Sequence, residues 1–111
     1  MSLLEKGDRV FVAGSRGMVG SAICRLLIRK GYSEKRGDLL TSSRIDLDFA
    51  NNYDVEKWFK NNKPDVVIIA AAKVGGIMAN ISQPVNFLLE NLKIQNNLIE
   101  TSWKFGVKRL V

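Results

Sequence analysis

Three glycines, Gly14, Gly17 and Gly20, stand between an apolar run and a helical pattern. Before them, Arg9-Val10-Phe11-Val12-Ala13 is β-branched and aromatic and stops at Gly14, as a buried strand does. After them, from Met18 to about Gly31, apolar residues recur at Val19, Ile23, Leu26 and Leu27. That spacing is one helix face, with Gly31 as its C-cap. At a strand-to-helix junction one glycine permits the tight turn, another lets backbone amides approach a pyrophosphate, and a third lets helix and strand pack closely. The helix N-terminus adds free N–H groups and partial positive charge. A purely structural turn is the alternative, and the strand before and helix after favour phosphate binding. A Walker loop does not fit, because no Gly-Lys-Ser/Thr follows.

The rest of the chain continues the alternation. Leu39-Leu40-Thr41 reads as a short second strand. A polar helix is predicted from Tyr53 to Asn62, with Val55, Trp58 and Phe59 inward and Pro64 beyond its end. Val66 to Ala72 is apolar on both alternations, the mark of a strand covered on both sheet faces. A long helix is predicted from about Pro84 to about Phe105, ended by Gly106, and Lys108 to Val111 starts a fourth strand. On that helix Val85, Leu88, Leu89, Leu92, Ile99 and Trp103 form one apolar stripe, assigned to the sheet. Phe87, Ile94 and Leu98 form a second, on the line of Asn91, expected at a subunit contact, with burial under another part of the same domain as the alternative. The expected fold is α/β, a Rossmann-type doubly wound parallel sheet with about four strands and three helices. A complete domain of this kind has five or six strands, so residues 1–111 read as an N-terminal portion ending within the fourth.

Composition removes several classes. At 46% apolar and 25% charged residues, the chain is neither disordered nor fibrous. No apolar run approaches the roughly 18 residues of a membrane span, and the N-terminus carries charges where a secretory peptide needs apolar residues. With one cysteine, Cys24, and no histidine, Cys/His zinc sites and histidine-activated nucleophiles are excluded, so no metal ligand is expected. The setting reads as cytoplasmic and reducing. The net charge of +6 is spread, and its densest stretch, Arg25 to Arg36, reads as a solvated face without aromatics to stack bases. Nucleic acid is therefore not an expected partner, and anionic small molecules are.

The second strand also bears on cofactor choice. An NAD site wants a carboxylate at its end, and Leu39-Leu40-Thr41-Ser42-Ser43-Arg44 has none there, since Asp38 precedes it and Asp46 and Asp48 come later. Ser42, Ser43, Arg44 and Arg16 can instead bind a 2′-phosphate, so NADP is expected over NAD.

Two blocks carry a resemblance. Arg9 to Ile23, including Gly14-Ser15-Arg16-Gly17-Met18-Val19-Gly20, is similar to the N-terminus of the GDP-L-fucose synthases, extended members of the short-chain dehydrogenase/reductase superfamily. Ala70-Ala71-Ala72-Lys73-Val74-Gly75-Gly76-Ile77-Met78-Ala79-Asn80 resembles the signature of those enzymes, and Pro84, Phe87, Asn91, Asn97 and Leu98 continue the match. The resemblance spans nearly the whole chain and about a third of a full-length enzyme. It implies an NADP-dependent epimerase-reductase that epimerises GDP-4-keto-6-deoxy-D-mannose at C3 and C5. The C4 ketone is then reduced with NADPH to give GDP-L-fucose. In that family the catalytic serine, tyrosine and lysine follow the fourth strand, and a cysteine and a histidine assist. No catalytic residue is therefore expected within the 111 residues, which alone should be inactive, and Cys24 is not the assisting cysteine.

Carried over by position, Gly14 to Gly20 match the pyrophosphate loop and Arg16 a contact to the NADP 2′-phosphate. Asp46 and Leu47 match the pair beside the adenine. Ala70, Ala71 and Ala72 match the strand end along the ribose and nicotinamide. Family members often carry an arginine where Ser42 aligns, and Arg44 is the substitute here. Lys73 to Asn80 is expected to border the sugar-nucleotide pocket. The resemblance also implies a homodimer through the long helix. Two other readings stand beside this one: a non-catalytic NAD(P)-sensing module and another sugar-nucleotide epimerase or dehydratase.

Overall fold

A computed structural model describes residues 4–5, 7–43, 45–71 and 84–111. Four strands, β1 (Val10–Ala13), β2 (Leu39–Leu40), β3 (Val66–Ile69) and β4 (Arg109–Leu110), alternate with α1 (Met18–Arg29), α2 (Asn52–Asn62) and α3 (Pro84–Lys104). All pairings are parallel, in the order β2-β1-β3-β4. The chain thus goes to one side of β1 for β2 and returns to its other side for β3. That reversal is the switch point of a doubly wound sheet, and the fold is the expected Rossmann-type α/β arrangement.

Alternation along β1 and β3 divides the core in two. Val10, Val12 and Val66 point to the α1 side, where they meet Leu27 and Leu39 with Ile23 and Cys24 packed against them. Phe11, Ala13 and Val67 point to the other side, against Val55 and Phe59 of α2 and Ile94 and Leu98 of α3. There Phe11 stacks on Trp58 at 4.0 Å and meets Phe59 edge-on at 5.9 Å, geometries favoured by the ring quadrupoles. The second helix begins where Asn51 accepts a 3.2 Å bond from the Asp54 N–H, a side-chain N-cap.

Two helices lie rotated from the faces their apolar spacing predicts. On α1 the inward residues are Gly20, Ile23, Cys24 and Leu27, while Val19 is 63% exposed and Leu26 also lies outside. A close backbone approach at Gly20 fixes this rotation. On α3 Ile94 and Leu98 pack in the core beneath the sheet and Thr101 and Ser102 are also buried, with Phe87 and Asn91 half-buried. The stripe Val85, Leu88, Leu89, Leu92, Ile99 and Trp103 faces outward, with Trp103 82% exposed. The two stripes therefore exchange roles. Leu98 is a core residue of its own chain, and the outward stripe is the surface left to cover.

Charges knit the N-terminal ends of the strands. Asp8, almost fully buried, accepts the Glu5 N–H at 2.9 Å and pairs with Lys108 Nζ at 3.1 Å, while the Asp65 carboxylate accepts the Arg9 N–H at 2.9 Å. The Glu5 N–H, helped by Lys108, holds the Asp8 carboxyl below the usual carboxylate range against the opposing effect of burial. A carboxyl lowered on folding stabilises above its ordinary pKa and loses that contribution as pH falls through its folded value. Asp8→Ala should cost about 1–3 kcal/mol at pH 7 by removing these charge-assisted bonds. Melting from pH 7 down to pH 3 should show the deficit shrinking, because the parent loses the same carboxylate on acidification.

Candidate functional site

The switch point opens at the C-terminal edge of the sheet, between the exits of β1 and β3, where doubly wound folds place their ligands. The β1 exit is Gly14, with φ of +88°, a conformation that L side chains rarely adopt. A Cβ there would stand 2.7 Å from Ala71 N and 2.8 Å from Ala70 C, so the turn rests directly on the β3 exit. Six residues on, a Cβ at Gly20 would stand 1.9 Å from the Gly14 carbonyl oxygen. The first turn of α1 is therefore pressed onto the loop, and only glycine fits both positions.

Gly17 is different. Its φ of −74° suits any residue, and among the described residues a Cβ there would meet only the Gly14 oxygen at 3.5 Å, an ordinary contact. As N-cap of α1 it offers no side-chain oxygen to the helix end. The first bond within the helix is Ser21 N–H to Gly17 O at 2.8 Å, so the N–H groups of Met18, Val19 and Gly20 have no intrahelical acceptor. A bare, glycine-lined helix N-terminus thus faces outward beside the exposed Arg16, with Ser15 half-buried in the turn. Neither the backbone nor the packing among the described residues requires glycine at position 17.

Beyond β2, the Ser42 Oγ is buried and has no hydrogen-bond partner among the described residues. Ser43 Oγ is already engaged, donating to the Asp46 carboxylate at 2.9 Å and accepting the Asp46 N–H at 3.2 Å. Leu47 is buried in the α2–α3 side of the core, so its side chain serves packing. Asp38 lies at the opposite end of β2, where the Ser33 N–H and then Arg36 hold its carboxyl below the usual range. Arg44, Ala72 and the Lys73 to Asn80 loop lie outside the described residues.

On the β3 side, the Ala70 N–H extends the ladder with a 2.8 Å bond to Ala13 O. The Ala71 carbonyl then accepts Gln95 Nε2 at 2.9 Å, and Asn97 Nδ2 donates to Phe49 O at 2.9 Å. These two carboxamides flank the buried face of α3. Neither is a sequence-predicted site residue, and the available signal was their place at the borders of an apolar stripe. A separate depression of about 250 Å3, bordered by Lys30, Tyr32, Arg36 and Asp38, lies at the far end of the sheet.

A parallel α/β switch point with a glycine-lined helix N-terminus defines a nucleotide-binding class of fold. Residues 10–111 match the model of the NAD dependent epimerase/dehydratase family, and the chain belongs to that family. GDP-L-fucose synthase 1 of Arabidopsis thaliana is 44% identical over 110 residues, 99% of this chain and 33% of that protein. The structure of MlghC, a GDP-mannoheptose C4 reductase from Campylobacter jejuni with NADP bound, superposes with a TM-score of 0.86 at 34% identity. The match covers 96% of this chain and 30% of that one. A GDP-L-fucose synthetase from Naegleria fowleri bound to NADP gives 0.78 at 26%, covering 97% and 31%. The chain spans about a third of the length of the relatives it matches.

The glycines separate by substitution. Gly20→Ala should destabilise by about 3 kcal/mol, since backbone must yield to the new methyl. Gly17→Ala should cost no more than about 1 kcal/mol, the difference between glycine and alanine at an N-cap. Chemical denaturation of the two variants checks the contrast.

Proposed function

We propose that this chain binds NADP through the loop Gly14 to Gly20, with residues 1–111 the cofactor-binding portion of an NADP-dependent epimerase-reductase. The substrate class we assign is a GDP-linked 4-keto sugar, and within it GDP-4-keto-6-deoxy-D-mannose, the product being GDP-L-fucose. The observation that carries this reading is Gly17. With no need for glycine in its packing among the described residues, the residue makes sense where a ligand occupies the space a Cβ would take.

The residues present fit the cofactor. Backbone N–H groups of Met18, Val19 and Gly20 would hold the pyrophosphate at the helix N-terminus, with Ser15 beside them. Arg16, with Ser42 and Arg44, would hold the 2′-phosphate, and the buried, unpartnered Ser42 Oγ is suited to such a bond. Asp46 and Leu47 would border the adenine, Leu47 through its backbone because its side chain is in the core. Ala70, Ala71 and Ala72 would line the ribose and nicotinamide side. When bound, NADPH supplies a hydride. These residues contribute orientation and exclusion of water, and proton donation to the ketone oxygen belongs to groups beyond them. The chain's Tyr-x-x-x-Lys spacing, Tyr53 to Lys57, sits on α2, and Tyr53 is 71% exposed, a poor setting for a general acid that must meet a sequestered ketone.

The similarity to a GDP-mannoheptose C4 reductase supports a second choice of sugar within the same class, a GDP-linked keto-heptose. Cytoplasmic residence is consistent with a soluble nucleotide-sugar substrate. Among the described residues no helix is long and apolar enough to cross a membrane.

Titration of nicotinamide fluorescence tests the cofactor reading. The protein should bind NADPH more tightly than NADH, by about 1.5–3 kcal/mol for charge-assisted contact to the 2′-phosphate. Arg16→Ala should erase most of that gap, and Gly17→Ala should weaken both cofactors. Bound NADPH should not be oxidised by a keto sugar. Equal affinity for the two cofactors overturns the NADP assignment.

We also propose a homodimer through the outward stripe of α3. Its contiguous apolar surface suits an isologous contact, each subunit burying the same helix. By light scattering at micromolar concentration the protein should be a dimer. Leu92→Glu should shift it toward monomer with its circular dichroism unchanged, whereas a charge at Leu98 should unfold it.

A further inference from the structure

We propose that Gln95 is a positioning residue for the cofactor cleft, holding the β3 exit against the glycine turn. This inference rests on the reading of that cleft as a dinucleotide site.

The last ladder bonds of β3 are Ile69 N–H to Val111 O and Ala70 N–H to Ala13 O, both 2.8 Å. One residue further the backbone has left the sheet. Ala71 is only 7% exposed, so its carbonyl is cut off from bulk water and needs a partner inside the protein. Gln95 supplies one from α3, 24 residues along the chain, with Nε2 donating at 2.9 Å. The same Ala70–Ala71 backbone forms the wall on which Gly14 rests, within 2.8 Å of where a Cβ would stand. Gly14 in turn carries the carbonyl that fixes Gly20 and the first turn of α1. One side-chain bond therefore ties α3 to the wall, the wall to the turn, and the turn to the amides that face the ligand.

The chemistry of the side chain matters here. A carboxamide brings a donor at fixed reach and no charge. The half-buried Gln95 sits at the border of the face formed by Ile94 and Leu98, where an apolar side chain would pack equally well but leave the carbonyl unpaired. Released from this bond, the Ala71 peptide keeps only the Ala70 bond to Ala13 O and its side-chain packing, and can rotate against Gly14, so the loop amides lose part of their alignment. The loss should appear in ligand affinity as well as in stability, because Ala71 belongs both to the core on the α2–α3 side and to the wall of the cleft.

Three forms of the protein test this by titration with NADPH, with thermal melting alongside. Gln95→Met keeps the length and removes the donor. Gln95→Lys keeps a donor at similar reach. The methionine variant should bind NADPH about three- to tenfold more weakly, through misalignment of the loop amides, and melt about 5–15 °C below the parent for the carbonyl left unpaired, while still folding. The lysine variant should stay within about twofold of the parent. A purely structural residue would not separate the two. The proposal is overturned if Gln95→Met binds as the parent does, if lysine weakens binding as much as methionine, or if the methionine variant fails to fold. Absence of both NADPH and NADH binding by the unsubstituted protein overturns the dinucleotide reading itself, and this assignment with it.

Discussion

The contact between the Gly14 carbonyl and the Cα of Gly20 is the constraint from which the geometry of the cleft follows. No side chain fits between them. The helix must therefore meet β1 with its glycine edge, which decides its rotation about its own axis. Gly20, Ile23, Cys24 and Leu27, at intervals of three, one and three, become the inward face as a consequence. The same approach aims the first-turn amides outward over the switch point. Because Gly14 also rests on Ala70 and Ala71, the two strand exits are set at a fixed separation. The candidate site is thus shaped at Gly14 and Gly20 by backbone contacts.

The order of the elements was legible in the sequence, and the faces of the helices were not. Strand runs such as Val66 to Ile69 are apolar on both alternations, so no choice of face is needed to recognise them. On α3 a choice is needed, and counting apolar residues makes it wrongly. Its outward stripe is the larger in apolar content, whereas the buried residues are Ile94 and Leu98 together with Thr101 and Ser102. Small polar residues fit a buried face where bulk would not, although the Ser102 hydroxyl has no hydrogen-bond partner there among the described residues. Periodicity reports that a face avoids water, not what it avoids water with. On α1 the error had another source, since the rotation is dictated by glycines that carry no hydropathy signal.

The candidate site was legible to the extent that backbone makes it. Glycine spacing and its position between strand and helix sufficed for Gly14, Gly17 and Gly20, yet only the geometry distinguishes two glycines the fold requires from one that the described residues do not require. Side-chain contributions were less accessible. Ser42 and Ser43 are neighbours of the same type, but one hydroxyl is tied to Asp46 and the other is buried without a partner among the described residues. Asp38, an acid near the second strand, is spent on Ser33 and Arg36 at the wrong end of the sheet. The sheet separates its charges by end. Ion pairs gather at the N-terminal edge, where Arg9 Nε is also buried without a partner among the described residues, and the first-turn amides of α1 lie at the C-terminal edge.

That polarity explains how one scaffold accompanies different sugars. Proteins named for a fucose product and for a heptose reduction share these strands and helices at identities from 26% to 44%. The elements common to them include those assigned above to a pyrophosphate, a group that is the same whatever sugar is reduced. Under the proposed function, selection among keto sugars falls to side chains other than these backbone groups. The division is economical in physical terms, because backbone N–H groups and a helix dipole recognise an anion regardless of sequence. Sugar hydroxyls instead demand individually placed side-chain partners, each of which penalises the wrong stereochemistry by leaving a buried polar group unpaired.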